Sequence, residues 1–318
     1  MLRSPDSHVK WFTDPTAFPT RYELLFSLPV LAALGIAGLA VAAAWAWEQR
    51  MPEPRTVKWL ERFAPYAPLA LGLHLGLALV VAAIVGILFA PAKNLEVGSE
   101  NVFGFLILTA EAMCGLMIVL GLATRAAAIL LALLGLIAMV PFSVESILEQ
   151  VHIFGIAVFL FLVGRGPFSL DRVRGVTPPV TGAEIPRASL TLLRVMLGFA
   201  VFYGALTEKL LNPGLAEALL AERPYLNVTR LVGPLALPDS QFAFLAGVTE
   251  LVIGAVIVSP WVTRPVMAIG ALIFTASLFV FGWKELLGHL PFYGIFFLLF
   301  IAPKADSRRV QGAMQAQP

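Results

Sequence analysis

Residues 244–264 read FLAGVTELVIGAVIVSPWVTR. Glu250 is the one charge inside this apolar run, which closes on Thr263 and Arg264. A helix rises ~1.5 Å per residue, so about 20 such residues cross the hydrocarbon of a bilayer. A carboxylate at that depth costs roughly 2.5–3.5 kcal/mol on insertion scales unless it is protonated, paired or wetted. The same arrangement stands 139 residues earlier, counted from Glu250 back to Glu111, where residues 108–125 read LTAEAMCGLMIVLGLATR.

The rest of the chain agrees with that reading. Its 318 residues are 59% hydrophobic and 13% charged, with a mean hydropathy of +0.86. Soluble domains carry roughly 25% charged residues. So few charges cannot cover a water-facing surface, and lipid is the expected solvent for most of it. Continuous apolar runs predict spans near 23–47, 66–90, 103–122, 126–144, 149–165, 189–211, 242–260, 263–282 and 288–303. The runs do not alternate, which argues against a β-barrel. The fold class is therefore an all-α integral membrane protein with about nine transmembrane helices. Residues 1–21 are polar and the first apolar run is long enough to span, so no cleavable signal is expected. The net charge of +2 gives no sign of nucleic acid as a partner, and the single cysteine, Cys114, leaves no pair for dithiol chemistry.

Charge placement orients the chain. One side holds Arg50, Arg55, Lys58, Arg62, Arg125, Arg165, Arg172, Arg174, Arg187, Arg264, Lys304, Arg308 and Arg309. The other holds Arg3, Lys10, Arg21, Lys93, Lys209, Arg223, Arg230 and Lys284. That is 13 against 8, which makes the first side cytoplasmic, the N-terminus outside and the C-terminus inside.

Residues 103–164 and 242–303 align without a gap, and their polar matches decide the register. Glu111 falls on Glu250, Gly115 on Gly254, Thr124 and Arg125 on Thr263 and Arg264, and Gly155 on Gly294. Spans 66–90 and 189–211 then head two repeats of four helices each. An even count returns the chain to its starting side, so the repeats are expected to be parallel, related by a pseudo-twofold along the membrane normal. The expected divisions are an N-terminal tail, extra span and loop (1–65), a first repeat (66–165), a linker (166–188), a second repeat (189–303) and a tail (304–318). The repeats differ in the piece after their first helix: 91–101 is short, whereas 212–241 holds four prolines and is expected to lie on the outer surface as an amphipathic loop.

Residues 192–213, LLRVMLGFAVFYGALTEKLLNP, carry an early Arg, a glycine-rich face and a late Lys. The TELxxG helix with its Thr-Arg turn follows, and then 284–303, KELLGHLPFYGIFFLLFIAP, with an acidic, His-bearing start. This unit resembles the DoxX family of four-helix bacterial membrane proteins. Residues 147–167, ILEQVHIFGIAVFLFLVGRGP, belong to a degenerate first copy in which His74 and apolar residues replace the Arg and Lys. The resemblance covers about 66–303. It implies a bundle in the bacterial cytoplasmic (inner) membrane. Some family members are subunits of thiosulfate:quinone oxidoreductase, and others accompany redox enzymes or assist membrane proteins. A fold likeness alone does not give function.

Glu111 and Glu250 read in two ways: as proton acceptors beside a quinone or ion site, or as neutral groups that hydrogen-bond between helices. Gly115 and Gly254, one turn on, suit close helix packing or room for a ligand ring. Arg194 is placed to snorkel, while Glu208 and Lys209 stand ready for a polar headgroup or a salt bridge near Glu250. His152 and His289 follow Glu149 and Glu285 by one turn, an arrangement that orients a ring for proton exchange. No metal site is expected, haem is not suggested, and no P-loop, GxSxG, HExxH or dinucleotide fingerprint occurs. Three functions stay open: a quinone-linked subunit of a redox system with a redox partner protein, a small-solute or ion transporter, and a non-catalytic scaffold or assembly factor. Whether the chain is itself an enzyme is left undecided.

Overall fold

A computed structural model describes residues 9–13, 17–51, 55–89, 102–139, 143–176 and 185–302. Arg3, Lys93, Lys304, Arg308, Arg309, the 91–101 connection and the 304–318 tail lie outside the described residues. The described chain is all-helical. Its elements are α1 (Val9–Phe12), α2 (Leu28–Arg50), α3 (Ala67–Ile84), α4 (Val102–Leu120), α5 (Thr124–Ala138), α6 (Val144–Glu149) and α7 (His152–Val163). They continue with α8 (Leu170–Val173), α9 (Arg187–Ala205), α10 (Pro213–Glu222), α11 (Asp239–Val258), α12 (Thr263–Phe281) and α13 (Trp283–Ile301).

Five stretches are long and apolar enough to cross a membrane: α2, α3 with the turn before it, α4, α9 with the turn after it, and α11. Within α5, α7, α12 and α13 run four shorter apolar helices. Local chemistry sets the boundaries. The expected fifth span, 149–165, holds α7; a separate short helix, α6, capped by Ser143 on Ser146 N–H, precedes it across a turn at Gln150. The ninth begins at Trp283, earlier than expected, because Gly282 takes a positive φ of 83° and turns the chain sharply after α12. The 212–241 connection carries a helix of its own, α10, capped by Asn212 Oδ1 on Leu215 N–H.

Without a hydrophobic force between helices in lipid, small residues govern approach. α3 packs on α4, and α9 on α11. A Cβ added at Gly76 would sit 2.7 Å from the Gly115 carbonyl oxygen, and one at Gly198 would sit 2.8 Å from that of Gly254. α13 packs on α3, and α7 on α9. There Gly294 meets Leu71 and His74, while Gly155 meets Leu193 and Met196. These contacts pair off at fixed shifts: 139 residues for Gly115/Gly254 and Gly155/Gly294, and 122 for Leu71/Leu193, His74/Met196 and Gly76/Gly198. The first helix of each segment therefore packs on the last helix of the other. α2 stands outside this set and lays Val30, Ala33 and Ala37 near Leu251 and Ala205.

The turns before α5 and α12 also match. Ala123 and Val262 both take the left-handed conformation, φ 47° and 45°. That conformation is costly for a β-branched valine. A carboxylate holds each turn: Asp171 accepts from Ala123 N–H (2.6 Å) and Thr124 N–H (2.7 Å), and Glu48 accepts from Val262 N–H (2.6 Å). The arginines that follow differ. Arg125 is exposed, whereas Arg264 is buried and donates to Phe300 O (2.8 Å), Ala302 O (3.2 Å) and Glu61 (3.0 Å). Arg264 thus caps the last carbonyls of α13, which would otherwise lack donors.

Candidate functional site

A cavity of ≈ 290 Å³ lies among α9, α11, α12 and α13, with α6, α10 and α1 at one end. Its walls are apolar: Leu219 and Leu220 from α10, Phe242 and Ile253 from α11, Phe274 from α12 and Phe292 from α13. Its polar lining comes from Glu149, Gln150, Glu208, Lys209, Glu250, Ser277, Glu285 and His289. Two of its lining residues are partly exposed, one on α11 and one on α12. Ile273, midway along α12, lines it yet is 40% exposed, and the Glu250 side chain is 39% exposed.

A local irregularity delivers two of the charges. After Ala205 the helix widens into a π turn over residues 206–210, closed by Leu211 N–H on Leu206 O (2.8 Å). π turns recur at functional sites because they re-aim side chains within an otherwise regular helix. Here Glu208 and Lys209 both reach the cavity. Gly247 on α11 leaves room for the lysine stem, since a Cβ there would lie 2.9 Å from Lys209 Cβ. Lys209 Nζ then donates to Glu250 Oε2 at 2.6 Å. Glu208 accepts from Val9 N–H.

On the other wall, Glu149 Oε1 accepts from the Thr207 hydroxyl (2.6 Å) and from the ammonium of Lys10. Lys10 also donates to Glu145 at 2.5 Å, and Glu145 accepts in addition from Tyr22 OH (2.6 Å) and Thr20 OH (3.0 Å). Burial alone would push the Lys10 ammonium toward neutrality, but the carboxylates of Glu149, Glu208 and Glu145 outweigh it and raise its pKa. Burial likewise pushes the Glu145 carboxyl up, but the bonds from Lys10 and Tyr22 prevail and hold it below the ordinary range. The bond to Glu145 in turn raises the Tyr22 phenol.

His289 lies 3.3 Å from Glu285, which also accepts from the Ser277 hydroxyl at 2.9 Å. Its ring stands edge-on to Phe274, with centroids 4.2 Å apart. His152 sits behind the wall, its ring 4.1 Å from that of Phe292. Of the residues nominated by sequence, Glu208, Lys209, Glu250, Glu285 and His289 thus converge on one cavity. Glu111, Gly115, Gly254, Arg194 and His152 do not line it.

Glu111 is fully buried in α4 and accepts from Phe89 N–H at 2.8 Å. It secures a backbone that turns through positive φ at Phe89 (61°). Gly115 and Gly254 are spent on helix approach, leaving no space for a ligand ring. Arg194 is half-buried on α9.

Sequence reasoning missed Lys10, Glu145 and Thr207, and named Glu149 only as a neighbour of His152. The one available signal was the i,i+4 spacing of Glu145 and Glu149, which places both on one helix face. Among the described residues, no group of three or more His, Cys, Asp or Glu could hold a metal ion. What the arrangement offers is an apolar chamber with ionisable groups along its polar lining. No family model, curated protein or solved structure matches the chain.

Proposed function

We propose that this chain is a DoxX-like subunit of a bacterial redox system, in the cytoplasmic membrane, that binds the headgroup of a membrane quinone in the cavity between α9, α11, α12 and α13. In this reading α3–α7 and α9–α13 form two parallel repeats, α2 is the added span, nine helices cross the bilayer and the N-terminus faces outward. The fixed shifts between equivalent helix contacts support the duplication. The observation that carries the function is the coincidence of two features. The cavity is bordered by the partly exposed Ile273 of α12 and Glu250 of α11, between which this reading has a lipid-soluble molecule enter, and its polar lining holds carboxylates beside an ammonium. Phe274 and Phe292, stacked on each other with centroids 5.1 Å apart, supply aromatic lining for a ring. Glu250, half-exposed and paired with Lys209, is the group placed to exchange a proton with a ligand hydroxyl. A redox partner supplies or removes the electrons.

Organic extraction of the purified protein tests this. Wild-type protein should carry quinone above the level in its surrounding lipid, and Glu250→Gln should lose it while keeping its helical circular dichroism. Equal quinone content in the two would refute the reading.

One observation favours a second reading, a non-catalytic scaffold. Glu111, the sequence counterpart of Glu250, uses its Oε1 to hold a backbone turn and does not line the cavity. If the α11 carboxylate is likewise only structural, the protein should co-purify with a partner yet hold no quinone.

A further inference from the structure

The N-terminal segment crosses a long stretch of sequence to reach the cavity. Val9 lines it and is buried against Leu215 and Leu219 of α10. Further along, Asn212 Nδ2 donates to Phe18 O (2.6 Å), Arg21 N–H donates to Leu211 O (2.8 Å), and the Phe18 ring lies 3.1 Å from where a Gly214 Cβ would stand. Phe18 and Arg21 are thus fastened to the turn between α9 and α10, and Val9, next to Lys10, to α10 itself.

We propose that Lys10 is a positioning residue of the cavity, supplied by an N-terminal strap: its ammonium fixes Glu149 on the cavity wall and closes the cavity at the α6–α10 end. Three carboxylates face that ammonium: Glu145 and Glu149 from α6, and Glu208 from the π turn. The hydroxyls of Thr20 and Tyr22 reach it through Glu145. Carboxylates this close repel when ionised, and one ammonium among them turns repulsion into a clamp. The bonds to Glu149 from Lys10 and Thr207 both fall on Oε1, which leaves Oε2 to receive a ligand's hydrogen bond. With this end shut, the quinone reading has the ligand enter between α11 and α12, past the partly exposed Ile273 and Glu250.

The affinity arm of the test rests on the quinone reading; the accessibility arm does not. Gly204 lines the cavity, and a Cβ there meets only Glu149 Cγ at 3.9 Å. Gly204→Cys, in a Cys114→Ala background, is treated in nanodiscs with a membrane-impermeant cationic thiosulfonate. Labelling should be slow with Lys10 present, about tenfold faster in Lys10→Met, and slow again in Lys10→Arg. The dissociation constant for ubiquinone-1 should rise about fivefold in Lys10→Met and recover in Lys10→Arg. Equal labelling rates with and without Lys10 overturn the proposal. Should Lys10→Met fail to fold, Glu145→Gln removes one of the two partners of the ammonium and should still accelerate labelling; no acceleration overturns the strap. If labelling depends on Lys10 while no variant binds ubiquinone-1, the strap stands and the quinone reading falls.

Discussion

Glu111 on α4 and Glu250 on α11 occupy matching places in sequence, yet their surroundings have diverged. Each lies near the middle of a helix whose glycine, one turn on, touches a glycine of the helix before it. Around Glu111 the preceding helix ends at Ile84, and Leu88 and Phe89 fold back so that a main-chain N–H meets the carboxylate. Around Glu250 the preceding helix runs on through a π turn and delivers Lys209. At the 122-residue shift Lys209 stands where Ile87 stands in the first segment. One exchange of lysine for isoleucine thus accompanies the difference between a carboxyl held on one oxygen by a main-chain N–H and one that faces a cavity. A buried charge needs a partner in either case, and the type of partner decides whether room is left for anything else.

The equivalence of the two halves is most severely tested at the glycine contacts. Gly115→Val and Gly254→Val each drive side-chain atoms into the backbone of the facing helix. Both should cost about 3 kcal/mol or more, read as lost folded yield and a lower melting temperature in detergent. A tolerated substitution at one site alone breaks the match.

The carboxylates come next. Glu111→Leu strands the Phe89 N–H in the interior and should cost about 1–3 kcal/mol of stability, without altering quinone binding. Glu250→Gln keeps its shape beside Lys209 and should change stability less than Glu111→Leu does. Thermal unfolding of both variants with and without ubiquinone-1 separates the roles.

Much of this fold was legible because lipid imposes a simple rule. Twenty apolar residues without charge have few alternatives to a spanning helix, and each predicted span overlaps a helix, although some ends differ by about six residues and four of the helices are shorter than a full crossing. The convergence of Glu208, Lys209, Glu250, Glu285 and His289 was legible as separate residues only, since nothing in their spacing states that α12 leaves room beside α11. Lys10 was illegible. It stands in a polar tail, and its partners are 135 and 139 residues away on α6. Arg125 and Arg264 looked alike in sequence, because the capping of the α13 carbonyls by one of them depends on where the chain ends return.

The arginines sharpen the comparison at smaller scale. Arg264→Gln removes donors from two helix-end carbonyls and should cost about 1–2 kcal/mol, whereas exposed Arg125→Gln should stay within about 0.5 kcal/mol. Acidity gives the smallest effect. Glu145 has its pKa lowered from 4.5, so its contribution is complete above that value and is lost as pH falls through the lower folded value. Lys10 has its pKa raised from 10.5, so its contribution is complete below that value and is lost only as pH rises through the higher folded value. Melting temperature should therefore fall on acidification below about pH 4.5 and be flatter there in Glu145→Gln.

The most direct test is a titration of ubiquinone-1 into nanodiscs holding wild-type protein, Glu250→Gln or Glu111→Gln, followed by quenching of intrinsic fluorescence. Saturable binding is predicted for wild type and for Glu111→Gln, with about tenfold weaker binding for Glu250→Gln. No saturable binding in the wild type, or equal loss in both variants, would contradict the account.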